Sequence, residues 1–465
     1  MNFGELRFWI ILFGGLGMIV AMRPVVMIFR RSLLQWYDKT ALFLLGLFML
    51  GVVSWVTLVI FITVVLTTYF GLLAINRKGH GSVHWLWLLV PLQLAPLLYY
   101  KYSRFLAVEV FQREWTFLDN IAIPVGISFY SFQMVSFAID TLVAKKPIPS
   151  LLDHLNFIGF FPQLVAGPIE RRDKLLPQVQ EFRFRWIPES INEGVGWIVL
   201  GLYFKCCLAD NFANFFDPSP TDSPLAVWRQ NLLFGLRIYY DFAGYSLVAI
   251  GIAKSLGIEL TLNFRSPYCA RTPVEFWRNW HITLSQWFRD YVYVPLGGGQ
   301  VRWWTANILI VFVVSGIWHG AGWNFLIWGL LHAVFLIMTR ILPPTRLPAF
   351  VPWSINLFLV FFAWLAFYET RPTLLYRKMS LIANPLNYSA ADFASAIKSI
   401  VDPNVFVATC FLGLSAATLL LEWRSLRRNN SPYSSLRHPA VTVILIVLTV
   451  WLAPGKTNDF IYFAF

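Results

Sequence analysis

Hydrophobic runs long enough to cross or nearly cross a membrane alternate with short polar segments along most of the chain. They fall at roughly 7–29, 41–56, 57–75, 83–100, 119–142, 193–209, 226–256, 303–320, 323–340, 353–371, 404–422 and 439–453. A helix needs about 20 apolar residues to cross a hydrocarbon core of about 30 Å. The pattern therefore predicts an all-α polytopic membrane protein with about 11–13 transmembrane helices. Residues 41–75 read as a tight hairpin turning near Ser54. Segments 153–168 and 274–295 are apolar but too interrupted to cross simply, and read as re-entrant or interfacial. No internal repeat is visible, which argues against an inverted-repeat transporter.

Composition agrees. Of 465 residues, 57% are hydrophobic and only 13% are charged, against about 25% charged in soluble domains. The 21 Trp and 42 Phe exceed the needs of interfacial belts, so many must pack between helices. The net charge of +13 sits in short loops between apolar runs, the topogenic pattern of a membrane protein, and no nucleic-acid motif accompanies it. A twelve-span count puts Arg30-Arg31, Arg77-Lys78, Lys145-Lys146, 171–185 and 424–437 on one side, cytoplasmic by charge bias. Lys101, Arg104 and Arg371 run against that bias. Asp210, Asp217 and Asp222 then share an outer loop, and both termini are expected to be extracytoplasmic. Residues 7–27 lack a cleavage site and read as a first span. Cys206 and Cys207 are adjacent and Cys269 and Cys410 are isolated, so neither a metal site nor a disulfide framework is indicated.

Two histidines in apolar surroundings are the first candidates for chemistry, because an ionisable group at membrane depth is costly to keep and imidazole suits proton transfer near neutral pH. His281 lies in a segment, 272–295, that reads as one helix. Thr272 is the N-cap, Pro273 the first helical residue and Glu275 the capping-box position. Trp277, Trp280, Leu284, Trp287, Phe288 and Tyr291 form an apolar arc, with His281 at its edge and Ser285, Arg278 and Arg289 on the next face. Pro295 and the glycines 297–299 end it. Such a helix either borders a water-filled cavity or lies at the interface with a hydrogen-bonded histidine. His319 closes a nearly charge-free helix beside Gly316 and Gly320, with Ser315, Trp318, Trp323 and Asn324 as polar neighbours. It is either a general base or a core histidine bound to a carbonyl. His332 reads as structural; His80, His84, His154 and His438 read as surface residues. Gln163 sits in an apolar run broken by Pro162 and Pro168, which suits a re-entrant loop. Asp241 lies inside a long apolar run and needs a partner, which Arg237 or a histidine could supply, in an ion pair or in catalysis.

At these positions the chain resembles the membrane-bound O-acyltransferase family, in particular its bacterial branch of alginate O-acetyltransferases and teichoic-acid D-alanyl transfer proteins. The resemblance rests on 124–130 (PVGISFY), 162–168 (PQLVAGP), 241–245 (DFAGY), 276–285 (FWRNWHITLS), 289–291 (RDY), 295–298 (PLGG) and 318–321 (WHGA). Arg278-Asn279 stands where a pair of arginines is expected. The resemblance implies a ring of tilted helices around a thin centre pierced by a funnel or tunnel. It implies a catalytic core over 111–345, flanked by helices over 1–110 and 346–453 and followed by an extracytoplasmic segment, 454–465. His319 matches the family's catalytic histidine and His281 its second active-site position, with Asn279, Ser285, Gln163, Asp241 and Trp318 expected to contact substrate.

The expected activity is transfer of an acetyl group from a cytosolic thioester, acetyl-CoA, through a bacterial inner membrane for O-acetylation of an exported polysaccharide such as alginate, cellulose or peptidoglycan. Basic segments 171–185 and 424–438 would favour the donor's phosphates. No tightly bound cofactor or metal is expected. Membrane lipid, an extracytoplasmic polysaccharide O-acetyltransferase and a synthase or export complex are the expected partners. The rival classes are a glycan flippase or transporter with proton-relaying histidines, which paired intramembrane charges would support, and a lipid-acyl transferase that modifies proteins. The closing residues 458–465 (NDFIYFAF) suit an aromatic interfacial anchor. They also resemble the branch's aromatic ending, in which the tyrosine is thought to accept the acyl group; here that is Tyr462.

Overall fold

A computed structural model describes residues 2–77, 82–119, 121–164, 167–343 and 347–464. His80 lies outside the described residues. The chain is an all-α, multi-pass membrane protein, with no strand among the described residues. Among them, seven helical stretches are long and apolar enough to cross a membrane: Leu6–Val53, Trp55–Arg77, Val83–Val110, Pro188–Phe215, Trp323–Ile341, Phe350–Tyr368 and Pro403–Asn429. Ile127–Val143, Trp304–His319 and Pro439–Leu452 are shorter apolar helices, and Pro224–Ser255 runs for 32 residues.

The chain forms two compact units, one of residues 1–198 and 245–262 and the other of 199–244 and 263–465. In the first unit the hairpin turning at Ser54 is present, with Ser54 extended between Leu34–Val53 and Trp55–Arg77. The helix begins at Leu34 rather than near residue 41, because tertiary ion pairs carry its polar start. Asp38 is buried against Arg23 at 3.0 Å, and Lys39 meets Asp153 at 2.6 Å. The run expected from residue 119 becomes helical only at Ile127, after Pro124 and a left-handed Gly126. His154, expected at the surface, is fully buried in the helix Leu151–Ile158, its ring 4.9 Å from Phe137 and 5.3 Å from Tyr69. A polar neighbourhood in sequence disguised a helix whose aromatic face turns inward. Phe161–Leu164 is a single short helical turn, consistent with a segment that does not cross simply.

In the second unit the antiparallel pair Trp304–His319 and Trp323–Ile341 is the most closely packed element. Its backbones approach because glycines face them: a Cβ on Gly316 would lie 2.3 Å from the Phe325 carbonyl, and one on Gly329 would lie 2.2 Å from that of Phe312. Arg340 stacks on Trp304, 4.1 Å from its ring centre, and closes the pair at one end. The first helix has 16 residues and so rises about 24 Å, short of the roughly 30 Å hydrocarbon core. Its last residue, His319, is 1% exposed.

Gly329→Ala should lower the melting temperature of the detergent-solubilised protein, with a stability loss of about 1–3 kcal/mol from overpacking. Gly413→Ala, whose Cβ would meet open space, should not lower it. Equal behaviour of the two variants would refute the close-approach argument.

Candidate active site

His319 is 1% exposed and enclosed by aromatic rings, with centroids 5.0 Å away for Trp318, 4.8 Å for Trp328 and 5.3 Å for Phe367. Asn324, on the partner helix of the pair, donates to the carbonyl of Ala366 at 3.1 Å and so ties the wall bearing Phe367 to the hairpin. His332 is also buried, and it accepts a hydrogen bond from the Trp277 indole at 3.3 Å, the structural role expected of it.

The segment expected to be one helix is broken at its most informative residue. Helix Pro273–Asn279 stops, His281 takes a left-handed backbone with φ 40° and ψ 57°, and a new helix runs over Ile282–Phe288. The start is as read: the Thr272 hydroxyl accepts from the N–H of Glu275, whose carboxylate reaches back to Arg271 rather than to the cap itself. The break has a tertiary cause, Asn263. Its carbonyl accepts from the Ile282 N–H at 2.8 Å, and its side-chain oxygen accepts from the Thr283 hydroxyl at 2.7 Å and backbone N–H at 3.3 Å. An atom that receives a backbone N–H is an acceptor. The His281 Nδ1, 3.3 Å from that same oxygen, is therefore the protonated nitrogen, and the neutral ring carries its lone pair on Nε2. A non-glycine residue in this conformation costs about 1–2 kcal/mol, and such strain concentrates at functional sites.

The Asp241–Tyr245 motif joins the histidines to the C-terminal segment. Phe242 places its ring edge-on to His281 at 4.6 Å and 4.7 Å from the ring of Tyr462. Tyr462 in turn lies 5.7 Å, ring to ring, from His319, with its hydroxyl shut from solvent. Asp241 accepts from the backbone N–H of Ile461 at 2.6 Å and pairs with Lys205 at 2.7 Å. Lys205 also meets Asp210 at 2.9 Å and donates to the carbonyl of Asn458 at 2.8 Å. Phe460 and Ile461 are 1% and 4% exposed, a packing unlike that of an aromatic anchor in the membrane interface.

A cavity of about 660 Å³ is lined by Trp277, Ile282, Ser285, Phe312 and Ser315 among others; its lining includes neighbours of the two histidines in sequence but neither histidine nor Tyr462. Ile282 follows His281 directly, and Ser315 lies one turn before His319. Arg278, Arg289 and Arg340, all exposed, contribute to its lining. An apolar cleft of this size with a few polar groups suits a small-molecule substrate, and the arginines suit a phosphorylated one.

Of the expected substrate contacts, Ser285 lines the cavity, and Trp318 stands between the histidines, 5.9 Å from His281. Asn279 ends its helix, its carbonyl accepting from Arg265, and lies outside the cavity lining, where Arg278 takes its place. Gln163 belongs to the first unit, where it is buried and donates to the Phe157 carbonyl at 3.0 Å. Asp241 makes its direct ion pair with Lys205 and binds the C-terminal segment, while Arg237, an expected partner, also feels its charge. Asp210, expected in an outer loop, is 1% exposed and helical, because its charge is met by Lys205. Paired charges in an apolar run, the feature that would support a transporter, are thus present. Here they bind backbone groups of the C-terminal segment. A lone lysine in the run 193–209 was the signal for them; Asn263 gave none.

A profile of the membrane-bound O-acyltransferase family matches residues 31–377. The chain is 31% identical over 411 residues to the peptidoglycan O-acetyltransferase of Helicobacter pylori, covering 78% of each protein. It is 33% identical over 314 residues to a probable alginate O-acetylase of Azotobacter vinelandii, covering 63% of this chain and 62% of that protein. The teichoic acid D-alanyltransferase of Bacillus subtilis is 31% identical over 244 residues, 47% of this chain and 59% of that one. The chain belongs to the membrane-bound O-acyltransferase family. It is an acyltransferase, which sets aside the transporter reading.

His281→Asn should hold the left-handed turn better than His281→Ala, because Asn tolerates this conformation, with a stability difference of about 1 kcal/mol. Thermal unfolding of the two variants measures it. An alanine variant as stable as the asparagine one would show that the turn carries no strain.

Proposed function

We propose that this protein moves an acetyl group from cytosolic acetyl-CoA to Tyr462, and from there to sugar hydroxyls of an exported polysaccharide. The observation that carries the reading is the placement of the Tyr462 ring 5.7 Å from that of His319. The thioester arm of the donor enters the cavity beside His281, and its phosphates meet Arg278, Arg289 and Arg340 at the rim. The basic segments 171–185 and 424–438 then serve orientation.

An ordinary tyrosine ionises at about 10 and is a weak nucleophile until a base takes its proton. His319 accepts the phenolic proton as the phenolate oxygen adds to the thioester carbonyl. Collapse of the tetrahedral adduct breaks the carbon–sulfur bond, and the thiolate recovers the proton from the imidazolium, leaving acetyl-tyrosine and free CoA. His281, fixed by Asn263, positions the thioester. A sugar hydroxyl then attacks the aryl ester, its proton is taken up, and the phenol re-forms. Phenolate leaves more readily than a sugar alkoxide, so the second transfer runs downhill. An extracytoplasmic acetyltransferase that grips the polymer beside its synthase or export complex carries out that step, with this chain in the bacterial inner membrane. The relatives named for peptidoglycan and alginate O-acetylation support a sugar hydroxyl as the final acceptor.

His319→Ala should slow covalent labelling by radiolabelled acetyl-CoA by about 10²–10⁴-fold, the usual contribution of general-base catalysis. Tyr462→Phe should abolish both the label and polymer acetylation; full polymer acetylation by that variant would overturn the carrier role. Arg278→Ala and Arg289→Ala should raise the donor KM, with a smaller effect at high salt because exposed charges are screened. Unchanged KM values would move the donor's phosphates to another surface.

A further inference from the structure

We propose that Lys205, Asp210 and Asp241 form a fixed dock for the C-terminal segment, holding Tyr462 in place through the whole catalytic cycle. The inference rests on Tyr462 as the acetyl carrier. It adds that the acceptor comes to the tyrosine, whereas a swinging carrier would leave its site.

Each of the three side chains is at most 3% exposed. A buried ammonium and two buried carboxylates are tolerated only with charge partners and hydrogen bonds around them. Part of that satisfaction comes from the backbone of the segment itself. Lys205 donates to the Asn458 carbonyl, Asp210 accepts from the Asn458 N–H at 3.3 Å, and Asp241 accepts from the Ile461 N–H at 2.6 Å. These contacts are made with backbone atoms at two points three residues apart, so they fix the path of the segment whatever its side chains. Tyr462 follows the second point directly. Asn211 adds a third hold, donating to the carbonyl of Leu452 where the preceding helix ends.

The dock is assembled from the opposite side by close packing. A Cβ on Gly244 would lie 2.8 Å from the Gly201 carbonyl and 2.9 Å from the Lys205 nitrogen. Only glycine lets the helix bearing Asp241 come this near the π-helical turn Tyr203–Ala209 that carries Lys205. Leaving the dock would take the Asn458 and Ile461 backbone away from charged groups and would expose Phe460 and Ile461. A segment held this way is a wall of the site. The three polar residues are positioning residues, acting on the reaction through Tyr462.

Hydrogen–deuterium exchange of the full-length protein in detergent tests this directly, read on peptides covering 453–464. The parent should exchange slowly at Asn458 and Ile461, and addition of acetyl-CoA should leave that protection unchanged. Lys205→Met, Asp210→Leu and Asp241→Leu, combined with Arg237→Met because that side chain feels the charge of both carboxylates, remove the charges as a set. Ile461→Pro removes the donated N–H, and with it the isoleucine side chain, but leaves the core charges intact. Both should expose the segment, with exchange faster by about tenfold or more. Both should lower kcat by about a hundredfold, the cost of a misplaced reacting group, while the donor KM stays within about twofold. Equal exchange in parent and variants would overturn the dock. Faster exchange on adding acetyl-CoA would overturn its being fixed. Tyr462→Phe should remain as protected as the parent. If that variant kept full transfer, the carrier reading would fail while the exchange result judged the dock separately.

Discussion

A lysine held between two carboxylates in an apolar interior is the constraint around which the catalytic unit is organised. Lys205 cannot be buried without Asp210 and Asp241, and taking away one partner of such a group costs about 3–5 kcal/mol. The three residues therefore stand or fall together. Their remaining hydrogen-bonding capacity is turned on the backbone of the C-terminal segment. From this follow the need for glycine at 244, the inward turn of Phe460 and the position of Tyr462. The Asp241–Tyr245 motif reads as one device: the carboxylate holds the segment, Phe242 spaces His281 from Tyr462, and Gly244 brings the helices together.

Hydrophobic patterning carried most of the fold, because a helix in lipid must satisfy its backbone internally and announces itself by apolar length. The hairpin at Ser54, the cap at Thr272 and the isolation of His319 at a helix end were all legible in local residues. What escaped has a common physical origin in contacts distant along the chain. The apolar arc from Trp277 to Tyr291 runs unbroken through His281, yet Asn263, 18 residues away, forces the turn there. Lys205 lies 36 residues from Asp241 in sequence, so neither local charge pattern revealed the pair. His154 was misjudged because its polar helix neighbours Asp153 and Asn156 are buried too, Asp153 against Lys39.

The two histidines differ in how they are held. His281 is fixed through a hydrogen bond and a strained backbone, so its ring has one orientation and one protonated nitrogen. His319 is placed by the end of a short helix and by the rings packed around it. The first arrangement suits a group that orients a substrate, the second one that trades a proton.

The aromatic enclosure of His319 bears on efficiency as much as on rate. Thioesters hydrolyse whenever a base activates a water molecule, and a histidine able to deprotonate a phenol can also do that. Trp318, Trp328 and Phe367 pack steeply inclined to the imidazole, and each is at most 3% exposed. The indole N–H groups of Trp318 and Trp328 and the Tyr462 hydroxyl are likewise shut from solvent. On the proposed mechanism, shielding His319 from bulk solvent biases the competition toward the tyrosine beside it. Donor consumption would then stay coupled to acyl transfer, with futile breakdown of activated acyl groups suppressed by the same rings that build the core.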